Sequence, residues 1–216
     1  MKRVVITGAG TITALGQTVP ETLEALREGR CGIGALNIPD VDRLAIRIGG
    51  QVRNYEPEDR FNRQQLALYD RFTQFTLIAA GVVLGNSGGG MTTLDENYRS
   101  VYEDRKNRVH PFVVPKLMNN AAASHVSMEF NLKVPSFTVA TACASSNHAM
   151  AQAFQIVHGG ASPVMIAGGS ESMLCFGGVK AWEGLRVMSK DGCRPFSADR
   201  NGMVQGEGAG IFVFEE

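Results

Sequence analysis

The sequence has no run of about 18 apolar residues, the length that a bilayer-spanning helix needs. It also lacks a surplus of either charge and any Cys-x-x-Cys pair. The first absence excludes a membrane-spanning helix. The amino-terminal stretch MKRVVITGAG begins basic, but its apolar run breaks at Thr7 and Gly8, too soon for the centre of a signal peptide. Lysine plus arginine equals aspartate plus glutamate at 21 each. A formal charge of zero excludes a protein whose main business is gripping nucleic acid or an acidic membrane surface. The four cysteines, Cys31, Cys143, Cys175 and Cys193, show no zinc or redox spacing. Free thiols in a reducing, cytoplasmic compartment are the expectation.

Nucleotide motifs are missing too. GAGTITALG has Gly8 and Gly10, but Thr13 stands where a dinucleotide fingerprint needs its third glycine, and Gly16 comes late. GNSGGGM lacks the Lys-Ser/Thr of a phosphate loop. No cofactor and no metal are therefore expected.

What the chain does have is glycine, 25 residues of it, clustered at the ends of β-like runs such as ITGAG, IAGGS and QGEGAG. Such clusters mark tight turns and close backbone packing. RVVITGAG, the stretch from Gly81, SFTVAT, PVMIAGGSES and GAGIFVFEE read as strands. Between them lie helical stretches. The first runs from Val19, with Leu23 and Leu26 on one face and Gly29 as its stop. The spacing of Leu66, Tyr69, Phe72, Phe75 and Leu77 predicts one helix over 65–80. Two more are predicted over 115–130 and 145–160. Continuous apolar strands alternating with helices predict an α/β fold, a mostly parallel sheet with helices on both faces. One junction is too abrupt: only Ala80 and Gly81 separate helix from strand, which predicts a missing segment there.

In TVATACASSNHAM a β-run ends at Cys143 and an alanine-rich helical stretch begins at once. Strand, tight turn and helix present a nucleophile sharply. Helix N-terminal amides favour a thiolate and can hold an oxyanion. Ala142, Ala144 and Ser145 leave room for a substrate. The competing reading is a buried cysteine acting as a small apolar residue, and both stay open on these grounds. Cys31, Cys175 and Cys193 have no such setting. His148 lies about 140° around the helix from Cys143, which favours a packing role over general base. His110, His125 and His158 show no pairing pattern.

VVITGAGTITALG, TACASSNHA, VMIAGGSES and CRPFSADRNGMVQGEGAGIFVFEE, in that order, resemble the type II β-ketoacyl-acyl-carrier-protein synthases, including their nodulation-type relatives. The resemblance covers essentially the whole chain. It implies a thiolase-like fold, of which residues 1–216 are the N-terminal half of a two-fold pseudo-symmetric pair, with an internal deletion near 80–81. It implies Cys143 as acyl acceptor with its backbone amide in the oxyanion hole, and then decarboxylative condensation with a malonyl carrier. It also implies acyl carrier protein as partner and a homodimer. Two histidines and a lysine that support decarboxylation lie in the family's second half, and no matching motif occurs here. Val134 and Met203 stand where relatives usually carry glycine and phenylalanine.

The resemblance implies two further site features. Relatives carry a bulky residue against the end of the acyl pocket where this chain has Gly88; a glycine lengthens the pocket and implies long or unusual acyl chains. Relatives dock the acidic carrier through basic residues of the helix at 63–70. Here Arg63 remains beside Gln64, Ala67 and Leu68, with Arg108 and Arg194 as further docking candidates; a solvated surface charge competes for each. Two rival readings stand against the synthase: a non-catalytic fragment that pairs with a full-length synthase, and a thiolase-like acyltransferase.

Overall fold

A computed structural model describes residues 2–79 and 83–216. In chain order the elements are β1 (Val5–Thr13), α1 (Val19–Arg27), β2 (Gly34–Ala35), β3 (Ile48–Gly49), α2 (Arg63–Leu68) and α3 (Arg71–Ala79). There follow β4 (Val83–Gly85), α4 (Met91–Tyr102), α5 (Val113–Leu117), α6 (Ala121–Glu129), β5 (Phe137–Val139) and α7 (Ser145–His158). β6 (Val164–Glu171), α8 (Phe176–Gly184) and β7 (Gly208–Glu215) complete the chain. The abrupt junction at Ala80–Gly81 lies outside the described residues.

The main sheet has the order β1-β7-β6-β4-β5. β4 pairs in parallel with both β5 and β6, placing Val83 opposite Phe137 and Ala167. β7 runs antiparallel to β6 and to β1. Four strands therefore share one direction and β7 alone is reversed, so the sheet is mostly parallel. Alternate residues supply two cores, as the period of two requires. Leu84, Ile166, Ala209 and Ile211 pack with Phe72, Phe75 and Ala122, so α3 and α6 cover one face. Val83, Met165, Ala167 and Phe214 pack with Ala149, Ala153 and Val157, so α7 covers the other. A smaller cluster of Leu36, Leu44, Ile46, Leu174 and Val179 seats the β2–β3 segment against α8.

Several helices differ from the periodicity reading, each for a physical reason. The helix predicted over 65–80 is broken at Tyr69, whose backbone is extended at φ −105° and ψ 118°. The break lets buried Asp70 accept from the Phe72 amide at 3.4 Å and, through its other oxygen, from the amide and hydroxyl of Thr93. Tertiary bonding to α4 outweighs local helix continuity. The helix predicted over 115–130 is likewise two, because Met118 turns extended at ψ 137°. In α1, Gly29 takes φ 67° just past the helix, as expected of its stop. Leu23 and Leu26 share a face that is exposed, however, and α1 is buried through Ala25 instead. The helices α4 and α8 have no counterpart in the periodicity reading. In α8 the pair Gly177–Gly178 imitates a loop; a side chain at 178 would meet the Met173 carbonyl at 2.2 Å.

One buried ion pair ties the cleft side of the sheet together. The Glu207 side chain, 1% exposed, accepts from Arg71 at 2.7 and 2.8 Å, the Val52 amide at 2.9 Å and the Ser172 hydroxyl at 2.7 Å. Four acceptor contacts offset the desolvation of the carboxylate.

Candidate active site

Cys143 stands between β5 and α7, on a turn closed by the Ala144 amide to Thr141 (3.2 Å) and the Ser145 amide to Ala142 (3.1 Å). Neither bond uses the Cys143 amide. Ala142 is held at φ 50°, a left-handed conformation that a non-glycine residue adopts at a cost. Ser145 supplies the compensation. Its buried hydroxyl accepts from the Thr141 amide at 2.8 Å and donates to the Ala142 carbonyl at 2.7 Å. The elbow expected from the sequence is present, and Cys143 is exposed rather than buried.

Glycine brings this turn down onto the sheet. A Cβ at Gly85 would lie 2.1 Å from the Ser145 carbonyl carbon and 2.2 Å from the Ser146 nitrogen. At Gly169 it would meet the Ser146 hydroxyl at 2.4 Å. The first turn of α7 thus rests on bare strand backbone at the carboxyl ends of β4 and β6, where open α/β sheets bind ligands. No side chain caps this helix start, so the positive end of the helix dipole lies close to Cys143 in the chain.

Above the turn opens a cleft of about 520 Å³. Its lining includes Cys143, Ser145 and Ser146, the loop and strand-end residues Asn86, Ser87, Glu171 and Met173, and Thr11, Thr13, Gln205 and the single tryptophan, Trp182. Glu171 accepts from the Ser87 amide (3.1 Å) and hydroxyl (2.9 Å), the Gly88 amide (3.1 Å) and Asn86 (3.2 Å). Asn86 also donates to the Ser170 carbonyl at 2.8 Å and accepts from the Gly89 amide at 2.7 Å. This network freezes the loop after β4. Sequence reasoning missed Asn86, Glu171, Met173 and Trp182; an acid two positions after the glycine pair of a strand end was the available signal.

The other singled-out residues fall elsewhere. Gly88 is next to the cleft-lining Ser87 but does not itself line the cleft. Arg63, at the start of α2, and Arg108 are exposed on the surface. Arg194 is held 3.3 Å from both Asp191 and Asp199. Of the other cysteines, Cys31 and Cys193 are exposed outside the cleft, and burial pushes the Cys175 thiol up to about 11, which keeps it protonated. No histidine lines the cleft among the described residues. His148 is exposed on α7, and buried His125 packs edge-on to Tyr69, its pKa lowered by burial.

A family described as the β-ketoacyl synthase N-terminal domain matches residues 1–88 and 70–216. The chain belongs to this family. Among synthase-family proteins, nodulation protein E of Rhizobium sp. (strain N33) is 39% identical over 233 aligned positions, covering 99% of this chain and 58% of that protein. The 3-oxoacyl-[acyl-carrier-protein] synthase 2 of Staphylococcus aureus (strain COL) is 32% identical, with the same two coverages. The chain thus spans a little over half the length of these relatives. A β-ketoacyl synthase from Burkholderia phymatum STM815 superposes on the whole chain with a TM-score of 0.86 at 28% identity, over 59% of its own length. A ketosynthase solved in complex with its type II PKS acyl-carrier protein gives 0.80 at 22% identity, a likeness of fold alone. The synthase family carries the thiolase-like architecture that the motifs implied.

Proposed function

We propose that Cys143 accepts an acyl group as a thioester from an acyl carrier protein, the first half of a 3-oxoacyl-carrier synthase reaction. The observation that carries this reading is an exposed cysteine at the uncapped start of α7, opening into the cleft. The Cys143 thiolate attacks the donor's thioester carbonyl, the amide of Cys143 receives the developing oxyanion, and the carrier thiolate departs. The later condensation requires groups that stabilise the charge left by decarboxylation. No histidine or lysine lines the cleft among the described residues, so we assign residues 1–216 the acyl-transfer step alone. Carrier docking falls to Arg63 and Arg108, whereas the charge of Arg194 is already balanced by two aspartates. The four free thiols support a reducing, cytoplasmic setting.

The proposed deletion near 80–81 is supported by the two overlapping family matches and by alignments of 233 positions against a chain of 216 residues. A homodimer is supported by the open edge of β5. A second reading, a non-catalytic partner of a full-length synthase, is favoured by the fully exposed Phe196 and by Leu185, which is 63% exposed.

Intact-protein mass after incubation with a long-chain acyl carrier thioester separates the two. An adduct on wild type and none on Cys143→Ala supports acyl transfer; no adduct on a chain folded by circular dichroism supports the partner role.

A further inference from the structure

The glycine at position 88 leaves no empty space. A Cβ there would lie 3.0 Å from the Met173 sulfur, 3.1 Å from its Cγ and 3.0 Å from the Glu171 carboxylate. Gly88 is also outside the left-handed region, so its conformation does not demand glycine. The volume beside the loop is already taken, by Glu171 at the end of β6 and by Met173 just beyond it. Met173 lines the cleft together with Cys143, whereas Gly88 does not.

The backbone of Met173 is fixed. Its carbonyl accepts from the Cys175 amide at 2.9 Å, and Gly178 packs against the same oxygen. Its side chain is not fixed in that way: methionine is unbranched, with three rotatable bonds and a soft thioether that fills irregular gaps. Glu171, by contrast, is held in place by Asn86, Ser87 and Gly88. One wall of the cleft is therefore rigid loop, and the adjustable atom against it is the Met173 sulfur.

We propose that Met173, and not position 88, limits the length of chain that the Cys143 site accommodates. Met173 is a specificity-determining residue and a movable stop. The assignment to acyl chains rests on the acyl-transfer reading above; the stop itself does not.

The test uses two kinds of probe. N-Alkylmaleimides add to any accessible thiol, so the rates of butyl, octyl and dodecyl maleimide at Cys143 measure the cleft without requiring acyl transfer. Peptide mapping separates Cys143 from the exposed Cys31 and Cys193. Met173→Ala raises the dodecyl-to-butyl rate ratio by about tenfold, in line with the discrimination one or two methylenes provide in an apolar pocket. Met173→Phe lowers the ratio, and Met173→Leu, of similar volume, keeps it. In the Met173→Ala background, Gly88→Val returns the ratio toward wild type, because the new side chain enters the vacated space. A ratio unchanged in Met173→Ala and Met173→Phe overturns the proposal. Acyl carrier thioesters of the same chain lengths then follow the same order. If the maleimide ratios shift but no carrier thioester acylates Cys143, the stop stands and the acyl-transfer reading fails.

Discussion

The hydroxyl of Ser145 accepts the amide of Thr141 and donates to the carbonyl of Ala142, so one buried side chain joins the end of β5 to the first turn of α7. This pair of bonds braces the turn on which Cys143 stands. Ser145→Ala leaves the part-buried Thr141 amide without its partner, a cost of about 1 kcal/mol. Denaturant midpoints measure the loss. The rate of Cys143 modification falls with it, since Ala142 is no longer held at φ 50°.

Gly85→Ala presses a methyl group into the backbone of Ser145 and Ser146. Nothing flexible stands there to yield, so α7 must lift from the sheet. Overpacking of this kind costs about 1–3 kcal/mol. Thermal unfolding shows a lower Tm, and Cys143 acylation slows more than the stability loss alone accounts for.

Arg71→Met removes the cation from a carboxylate that is 1% exposed. A buried charge left without its partner destabilises by about 3–5 kcal/mol. The Arg71→Met, Glu207→Gln double variant is less damaged than Arg71→Met alone, and a denaturation cycle reads the difference. Equal stabilities would sink this account.

Asp70 has its pKa raised from 3.8, first by burial, against the lowering effect of its bonds to Thr93. The same direction, again led by burial, holds for Asp95 and Glu96. In each case the folded state holds its proton more tightly than the unfolded chain does. The associated stability is complete below the unfolded value and is lost as pH rises through the folded one. Melting temperature therefore declines from mildly acid toward neutral pH. Asp70→Asn, which cannot ionise, flattens that slope; an unchanged slope counts against the buried carboxylate as its source.

Residues 1–216 supplied with acyl and malonyl carriers form the Cys143 adduct and no 3-ketoacyl product. No histidine or lysine among the described residues lines the cleft to support decarboxylation. Mass spectrometry of the carrier-bound products decides the matter, and a 3-ketoacyl carrier would overturn it.

Strand order along the chain, the α/β class and the cysteine elbow were legible because they depend on local signals. Apolar runs, glycine at strand ends and an alanine-rich stretch after Cys143 are readable one segment at a time. Helix breaks were not. Tyr69 and Met118 carry no breaker residue, and periodicity runs through both; the break at Tyr69 arises because Asp70 finds Thr93, 23 positions away. Likewise α8 hides behind two glycines whose reason is the neighbouring backbone and Asp95.

The sequence by itself determined that a cysteine stands at a strand-to-helix turn within a β-ketoacyl synthase pattern, because those features are set by neighbours in the chain. Only the tertiary structure decided what surrounds it. The Glu171 network, the fixed backbone of Met173 and the filled space beside Gly88 join β4, β6 and α8 across more than 80 positions. Side-chain volume in a cleft is a property of the packed whole, and no single stretch of sequence carries it.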